Sequence, residues 1–341
     1  MLKIKELNND ETEIWDSYVL SHPHADYSHL YNWKLVFSDS YSLETMYLGL
    51  FDSYKLVGIL PSVIIKYPFN RNFAFSLPYL NYAGILSEQR FIQKDIIENV
   101  SEVYKSKNIQ SVELRSLDVQ NTKTFGNCTL KLQLPNNPED LWKSFKPKVR
   151  NQIRKAEKYC FSTQWGVHQL DKFYNIYRIN MHELGTPVHS KKFFKNIIKY
   201  FPNETNILTV YKDKLAISSM FVMSFKNRIA DPWASSLKNY LEHCPNMLMY
   251  WEALKYGIYN GYSEFDFGRS QYFSGTYNFK TQWGAKPYNL CYNVVNILSK
   301  NFSSSETIYR DKKASLFVKV WKLMPRFMVN VLGPHLRRFI P

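Results

Sequence analysis

The sequence has few cysteines and lacks the spacings that build metal sites and the long apolar runs that span membranes. Its four cysteines, Cys128, Cys160, Cys244 and Cys291, lie far apart, with no C-x-x-C pair and no histidine at zinc spacing. The N-terminus lacks an apolar signal-peptide core, and no run of eighteen apolar residues occurs. These absences predict free thiols in a reducing cytoplasm, no metal ion and no membrane-spanning segment.

Acidic residues are scarce beside basic ones. The chain has 29 Asp and Glu against 44 Lys and Arg, a formal net charge of +15. Such an excess indicates the kind of partner rather than the fold: nucleic acid, anionic lipid, or an anionic small molecule such as a nucleotide- or lipid-pyrophosphate-linked sugar. No RNP motif or KH loop is present, which argues against an RNA-binding module.

The 341 residues divide into two halves with a similar pattern. Each half shows helices, a β-hairpin, a further helix and late strands, which predicts a repeated α+β unit rather than strict βαβ alternation. The turn-rich sequence LPNNPED ends the first half. We therefore predict a first domain over residues 1–135, a second over 136–300 and a C-terminal tail over 301–341.

A strongly basic helix follows the predicted boundary. Seven basic residues occur between Lys143 and Lys158, with Glu157 as the one acid among them. An apolar stripe at i, i+4 and i+7 predicts one buried face. The basic face either binds phosphate, since guanidinium groups one turn apart can clamp an oxyanion, or is simply solvated. The predicted anion-binding residues are Lys148, Arg150 and Arg154.

The segment FDFGRSQYFSGTYNFKTQWGAKP, residues 265–287, concentrates aromatic, glycine and charged residues. It predicts a short buried strand whose sharp exit at Gly268 leads into a loop that forms the wall of a cleft. A carboxyl among aromatic rings can act as a base, although a structural ion pair between Asp266 and Arg269 is the alternative. The segment contributes the predicted catalytic residues Asp266, Arg269 and Ser270 and the predicted binding residues Lys280 and Trp283.

A second polar segment, DPWASSL, leaves an earlier strand at residues 231–237. Its indole and hydroxyls can contact an acceptor carbonyl or a sugar, so Trp233, Ser235 and Ser236 are predicted substrate-binding residues. Because no G-x-S-x-G elbow is present, we do not expect a serine nucleophile.

Five stretches in the same order resemble the FemAB-related transferases of the GNAT superfamily. They are LWKSFKPKVRNQIRKAEKY, LGTPVHSKKFF, DPWASSL, PNMLMYWEALKYGIYNGYSEFDFGRS and GTYNFKTQWGA. The resemblance extends over almost the whole chain. Within that family the chain most resembles the branch found beside exosortase (PEP-CTERM) and exopolysaccharide genes in bacteria.

The resemblance implies tandem GNAT-like domains, each a mixed, mostly antiparallel sheet flanked by helices. FemABX relatives transfer an aminoacyl group from charged tRNA to an amine of a nucleotide- or lipid-linked peptidoglycan precursor. It therefore implies acyl or aminoacyl transfer to a cell-envelope or exopolysaccharide precursor, with acyl-CoA or aminoacyl-tRNA as donor substrate and no tightly bound cofactor. A non-catalytic scaffold on the same fold is the alternative. In the first half, Trp33 and Lys34 are expected near the cleft.

One segment departs from the acetyl-CoA-binding pattern. Acetyl-CoA enzymes carry a glycine-rich turn after the fourth strand, where backbone N–H groups cradle the pyrophosphate. The corresponding segment, SSLKNYLEHCPNMLMY, contains no glycine. This difference argues against ordinary CoA binding in the second half.

The tail from residue 312 to 341 is both basic and apolar. Its spacing predicts an amphipathic helix that either packs on the protein body or lies on the anionic inner face of the cytoplasmic membrane. The sequence thus predicts a cytoplasmic protein, with peripheral membrane contact as one of two arrangements of the tail.

Overall fold

The structure, a computed structural model, describes residues 2–69, 71–88, 93–118, 126–299, 302–304 and 312–341. The chain forms two compact units. Unit 1 comprises residues 1–120, 290–312 and 335–341, and unit 2 comprises residues 121–289 and 313–334.

Unit 1 is a mixed sheet flanked by helices. Its strands are β1 (Lys3–Glu6), β2 (Glu44–Asp52), β3 (Lys55–Tyr67), β4 (Arg71–Phe75), β5 (Leu86–Ser87), β6 (Ser111–Leu117), the second part of β13 (Lys286–Asn296) and β14 (Phe302–Ser304). They lie in the order β1-β2-β3-β4-β6-β13-β14, with β5 beside β3. The flanking helices are α1 (Thr12–Ser21), α2 (Trp33–Tyr41) and α3 (Gln93–Ser106).

Unit 2 repeats this construction. Its strands are β7 (Asn127–Gln133), β8 (Ser162–Trp165), β9 (Thr205–Lys212), β10 (Leu215–Phe225), β11 (Arg228–Ser236), β12 (Glu264–Gln271) and the first part of β13. They lie in the order β13-β7-β12-β11-β10-β9-β8. The helices are α4 (Pro138–Ser144), α5 (Pro147–Lys158), α6 (Leu170–Leu184), α7 (Lys191–Tyr200), α8 (Pro245–Tyr259), α9 (Gly275–Thr281), α10 (Lys312–Leu323) and α11 (Arg326–Arg337).

Each unit contains one parallel strand pair of the same kind among its described strands. Residues 73–75 of β4 pair with residues 111–113 of β6, and residues 228–230 of β11 pair with residues 264–266 of β12. A helix, α3 or α8, links the two strands of each pair, because parallel neighbours need a crossover connection. The other strand pairs are antiparallel. This confirms the predicted repeat of a mixed, mostly antiparallel α+β unit.

The observed division into units differs from the predicted domain boundary between residues 135 and 136. Strand β7 lies before that cut but belongs to unit 2, because it pairs with β12 and with residues 286–289 of β13. Residues 290–296 of β13 pair with β6 and belong to unit 1. Unit 2 therefore begins before the predicted boundary, and unit 1 contains a strand that follows unit 2 in the chain; no pattern in the sequence indicates either pairing.

Most of the predicted tail belongs to unit 2. Helix α6 ends at Gly185 with φ +80°, and a Cβ there would lie 2.7 Å from Val318 Cγ1 of α10. Gly333 of α11 approaches Val188 in the same way. The inner side of the tail therefore packs on the turn between α6 and α7. No helix in the described part of the chain is long and apolar enough to cross a bilayer.

Candidate active site

Strands β11 and β12 of unit 2 run side by side for three residues and then part. Their last paired residues are Ala230 and Asp266. Beyond this point β11 continues along β10 and β12 continues along β7. The register of β11 shifts at Pro232, where a residue without an N–H group fits a bulge better than a regular ladder. The divergence point brings polar side chains into a largely apolar interior.

Strand β12 has its own bulge beside the divergence point. The register against β7 shifts between Asp266 and Arg269, and Gly268 has φ +71°, a left-handed conformation that favours glycine. Asp266 Oδ1 accepts hydrogen bonds from Gly268 N at 2.8 Å and from Thr129 Oγ1. The Asp266 carboxylate therefore stabilises the bulge.

The other side of this bulge is held by Lys280 of α9. Its Nζ donates to Gly268 O and to Arg269 O, each at 3.0 Å. The ammonium thus satisfies two carbonyls that the bulge withdraws from the β7 ladder. Burial lowers the pKa of Lys280, while the nearby Asp231 and Asp266 carboxyls act in the opposite direction.

The most perturbed acid is Asp231, the first residue of β11 after the paired stretch. Its Oδ2 accepts a hydrogen bond from the Tyr250 hydroxyl at 2.5 Å, and its buried Oδ1 makes none within the described part of the chain. Burial raises the pKa of Asp231 to about 8; Lys280 and the Tyr250 hydrogen bond lower it, and Asp266 raises it further. The Asp231 carboxyl is therefore mainly protonated at neutral pH.

Aromatic rings enclose this group of polar side chains. The Tyr250 ring stacks on Phe267 with centroids 5.3 Å apart, and it also contacts Phe279 and Trp283. Burial raises the pKa of Tyr250 well above its usual value. Phe265, Phe267 and Trp283 of the 265–287 segment thus fill the core of unit 2 rather than line an open loop, whereas Phe273 is exposed.

The arrangement can move protons and stabilise negative charge. A carboxyl with a pKa near 8 can both accept and donate a proton at physiological pH. An ammonium has three donors, and Lys280 uses two of them for backbone carbonyls. Within the described residues, no cluster of His, Cys, Asp or Glu could hold a metal ion.

The residues predicted as catalytic lie on one strand but face different surroundings. Asp266 is buried in the bulge, whereas the Arg269 side chain is exposed. Ser270 is buried, and its Oγ makes no hydrogen bond within the described residues. The expected sharp exit at Gly268 is a bulge, because β12 continues to Gln271. The residues that follow form α9 rather than a loop.

The basic helix α5 has the predicted buried stripe. Arg150 Nη1 donates to Phe145 O at 2.6 Å and to Lys143 O at 3.3 Å, so this side chain caps the C-terminus of α4. Arg154 lies over the Trp142 ring, 5.4 Å from its centroid. Lys148 is exposed. Two of the three predicted anion-binding side chains therefore have partners within unit 2.

A cavity of about 520 Å³ lies where this basic segment begins. It is lined by Lys146 and Trp283, among other residues, but not by Arg150, Arg154, Asp266 or Arg269. The Phe145 ring meets Trp283 edge-on at 5.3 Å. The two predicted segments thus contact each other through aromatic packing, and this cavity does not gather their charged groups.

The DPWASSL residues belong to β11. Trp233 is 8% exposed and packs against Phe194 and Phe221. Ser235 Oγ donates to Asn180 Oδ1 at 3.3 Å, and Ser236 Oγ shares a hydrogen bond with Ser218 Oγ. These contacts hold the strand against α6, α7 and β10.

Trp33 and Lys34 lie in unit 1. Trp33 is fully buried, and its Nε1 donates to Tyr27 O at 2.9 Å. Lys34 Nζ donates to Leu7 O and to the Tyr31 hydroxyl, and burial lowers its pKa. Both side chains therefore stabilise the N-terminal layer of unit 1.

Sequence analysis missed Asp231 and Tyr250. One signal was present: an acid followed by proline interrupts the apolar residues between Ile229 and Ala234. A buried acid in such a strand needs a partner. The partner, Tyr250, lies nineteen positions later on α8, at a spacing that no sequence rule predicts.

Comparisons with known proteins agree with this architecture. Residues 143–281 match the family described as acetyltransferase (GNAT) domain, whereas no curated protein sequence matches the chain. FemX superposes with a TM-score of 0.64 at 14% identity, over 84% of this chain and 94% of FemX. A tandem GNAT protein from the clavulanic acid biosynthesis pathway, solved without AcCoA, gives 0.55 at 9% identity, over 87% and 99%.

A third similar structure is the C-terminal domain of a putative lysylphosphatidylglycerol synthetase from Agrobacterium fabrum. Its TM-score is 0.53 at 10% identity, over 84% of this chain and 92% of that domain. At such identities the structures show a shared fold. The matched domain and the repeated units show a tandem GNAT-like fold, with an acetyltransferase (GNAT) domain match in the second unit. This is the fold that the resemblance to FemAB-related transferases predicted, and FemX shares it.

Proposed function

We propose that the protein transfers an acyl or aminoacyl group to an amine or hydroxyl of an anionic cell-envelope precursor, and that unit 2 carries the chemistry. The observation that supports this most is the buried Asp231 carboxyl where β11 and β12 part, with Oδ1 unpaired within the described residues and its pKa raised, and the buried Lys280 ammonium on the bulge of β12. Perturbed acids and bases of this kind concentrate at functional sites.

In the proposed reaction the acceptor attacks the carbonyl carbon of the donor. The new C–N or C–O bond forms, and the bond from that carbon to the donor sulfur or ribose oxygen breaks. The Asp231 carboxylate takes the proton from the acceptor and returns one to the departing atom. The third N–H of Lys280 stabilises the negative oxygen that develops on the carbonyl.

Arg269, Lys148 and Ser270 are assigned to substrate binding. In this proposal the exposed Arg269 and Lys148 side chains contact phosphates of donor or acceptor. Ser270 Oγ, which makes no hydrogen bond within the described residues, is a further donor near the bulge. We assign Asp266 to positioning, because its carboxylate stabilises the backbone that Lys280 also binds.

The donor is acyl-CoA or an aminoacyl-tRNA. Acyl-CoA is the donor substrate of the GNAT family, but the segment between β11 and α8 has no glycine and forms a 3-10 turn at Lys238–His243. This turn does not offer the usual pyrophosphate cradle. The net charge of +15 suits a polyanion, and this favours charged tRNA.

For the acceptor we propose a lipid-linked glycan of the exopolysaccharide or peptidoglycan pathway on the cytoplasmic side of the membrane. The support is the sequence resemblance to the exopolysaccharide-associated branch. A structural neighbour named for lysylphosphatidylglycerol synthesis points to lipid-linked acceptors on this fold.

A non-catalytic scaffold remains the second candidate. Arg150 and Arg154, two of the predicted anion-binding residues, already have internal partners, as a purely structural helix would require. A scaffold tolerates Asp231→Asn in a complementation assay, whereas an enzyme that uses this carboxyl does not.

The experiment that tests the proposal incubates the purified full chain with acyl-CoAs, with charged tRNAs and with nucleotide- and lipid-linked sugars. Product mass identifies the transferred group. We expect transfer from one donor class and its loss in Asp231→Asn. Absence of transfer from every donor class, together with no binding of any anionic ligand, overturns the proposal.

A further inference from the structure

The tail helices α10 and α11 have an apolar outer face in addition to the inner face that packs on unit 2. On the inner side, Trp321 and Val329 are each 3% exposed. On the outer side, Leu323 is 86% and Phe327 is 72% exposed. We call this outer surface the tail face; it consists of Leu316, Phe317, Val320, Leu323, Phe327 and Val331, all exposed.

The spacing of these residues makes the tail face continuous along each helix. Leu316, Val320 and Leu323 follow one another at i, i+4 and i+7 in α10. Phe327 and Val331 are one turn apart in α11. Side chains at these spacings share one side of a helix. A contiguous exposed apolar surface of this kind marks an interaction site.

The charge of the tail indicates what this site binds. Residues 312–341 contain no Asp or Glu and seven basic residues: Lys312, Lys313, Lys319, Lys322, Arg326, Arg337 and Arg338. Lys319 lies one turn from both Leu316 and Leu323, at the edge of the tail face. An apolar face bordered by lysines is typical of helices that lie on anionic membranes. A second copy of this chain would bring the same positive charge against itself, which disfavours pairing of two tail faces.

A small basic cavity lies beside the tail face. It has a volume of about 170 Å³ and is lined by Arg178, Ile179, His182, Arg326, Val329 and Asn330, from α6 and α11. Arg178 Nε and His182 Nε2 are buried and make no hydrogen bond within the described part of the chain. Two buried side-chain nitrogens without partners, on residues that line a cavity together with the exposed Arg326, can bind a phosphate group.

We propose that the tail face docks on an anionic phospholipid membrane, and that Arg178, His182 and Arg326 bind a lipid phosphate there. Docking places the outer apolar residues among the lipid headgroups while the inner face stays on unit 2. The inference does not depend on the proposed transferase reaction, because its test measures binding alone.

The test is co-sedimentation of the full-length protein with phosphatidylcholine vesicles and with vesicles that also contain phosphatidylglycerol. We expect binding to the anionic vesicles that weakens with salt. Leu323→Ser/Phe327→Ser should lower the partition coefficient by roughly ten-fold or more, because it removes exposed apolar surface. The matched control is Tyr54→Ser/Phe69→Ser, which removes equally exposed rings in unit 1 and should leave binding unchanged.

The cavity is tested with Arg178→Gln/Arg326→Gln. We expect partition to fall by about five-fold for each removed charge, and by more than in the control Lys214→Gln/Lys286→Gln, which removes two exposed lysines of unit 2. Inorganic phosphate is titrated in parallel by thermal shift. Phosphate binding that needs Arg178 and Arg326, with vesicle binding that does not, overturns the headgroup assignment in favour of free phosphate.

Two outcomes overturn membrane docking itself. One is wild-type protein that binds neither vesicle, or both equally. The other is a wild-type dimer in analytical ultracentrifugation that becomes monomeric in Leu323→Ser/Phe327→Ser, with no vesicle binding by either form. Thermal melts of the variants control for folding, and we expect them to match the wild type because the substituted apolar side chains are exposed.

Discussion

The Tyr250 hydroxyl donates a 2.5 Å hydrogen bond to Asp231 Oδ2 at the point where β11 and β12 separate. Tyr250 lies on α8, the helix that connects these two strands. The crossover that makes the parallel pair geometrically feasible thus also supplies the partner of its buried acid. Because this buried carboxyl of β11 bonds directly to α8, its protonation is tied to the packing of unit 2.

Asp231→Asn is expected to change how stability depends on pH. Burial raises the pKa of Asp231 from 3.8 to about 8. Since the folded-state pKa is the higher one, the stability from this group is fully present below about pH 4 and is lost as pH rises to about 8. The asparagine variant should therefore lose less stability over this range than the wild type. Urea unfolding at several pH values measures this, and parallel curves for the two proteins would contradict it.

The same substitution should abolish one limb of the pH–rate profile. We expect kcat/KM of the wild type to rise through a pKa of about 8, because the carboxylate form of Asp231 accepts the proton. Asp231→Asn should lower kcat/KM by roughly 10²-fold or more and leave a profile without this limb, as general-base contributions of this size suggest. Retention of the limb in the variant would assign the base to another group.

Lys280→Met tests whether the Lys280 ammonium has a structural role, a catalytic role or both. The variant keeps the side chain up to the ε position but leaves Gly268 O and the part-buried Arg269 O without their donor, which costs about 1–3 kcal/mol of stability for a fully buried group. Activity should fall by roughly 10²- to 10³-fold if Lys280 also stabilises the oxyanion. Lys286→Met, an exposed lysine of the same segment, is the control. A loss of stability with unchanged kcat would restrict Lys280 to a structural role.

The sequence predicts the repeated α+β units because apolar periodicity reports which side of each element is buried. It identifies the buried stripe of α5 through Val149, Ile153 and Ala156. It does not predict that β13 is shared between the units, since strand pairing is non-local. The sequence also does not predict that Arg150 donates to Phe145 O. An arginine that caps a helix and an arginine that binds phosphate have the same sequence pattern.

The internal partners of Arg150 and the exposed position of Lys148 predict different effects when each is replaced by alanine. Arg150→Ala should lower stability by about 1.5–3 kcal/mol, because it removes charge-assisted hydrogen bonds to the C-terminus of α4. Lys148→Ala should leave stability unchanged, since that side chain is exposed, but should weaken binding of charged tRNA and reduce its salt dependence. Urea unfolding and filter binding separate the two effects. Equal effects of both variants on stability would show that the exposed lysine also has a structural partner.

Gly185→Ala is expected to loosen the tail from unit 2. The residue has φ +80°, and a Cβ there would lie 2.7 Å from Val318 Cγ1 and 2.9 Å from Val318 O of α10. Gly261→Ala is a closely matched control, because Gly261 has φ +76° but nothing within 4 Å of the added Cβ. Both variants carry a similar backbone strain, so the additional loss in Gly185→Ala isolates the contact with the tail. We expect that difference to be about 1–3 kcal/mol in urea unfolding, the usual range for overpacking. We also expect proteolysis within α10 to be faster in Gly185→Ala. Equal losses of stability in both variants would mean that α10 moves away from the added methyl group without a loss of stability.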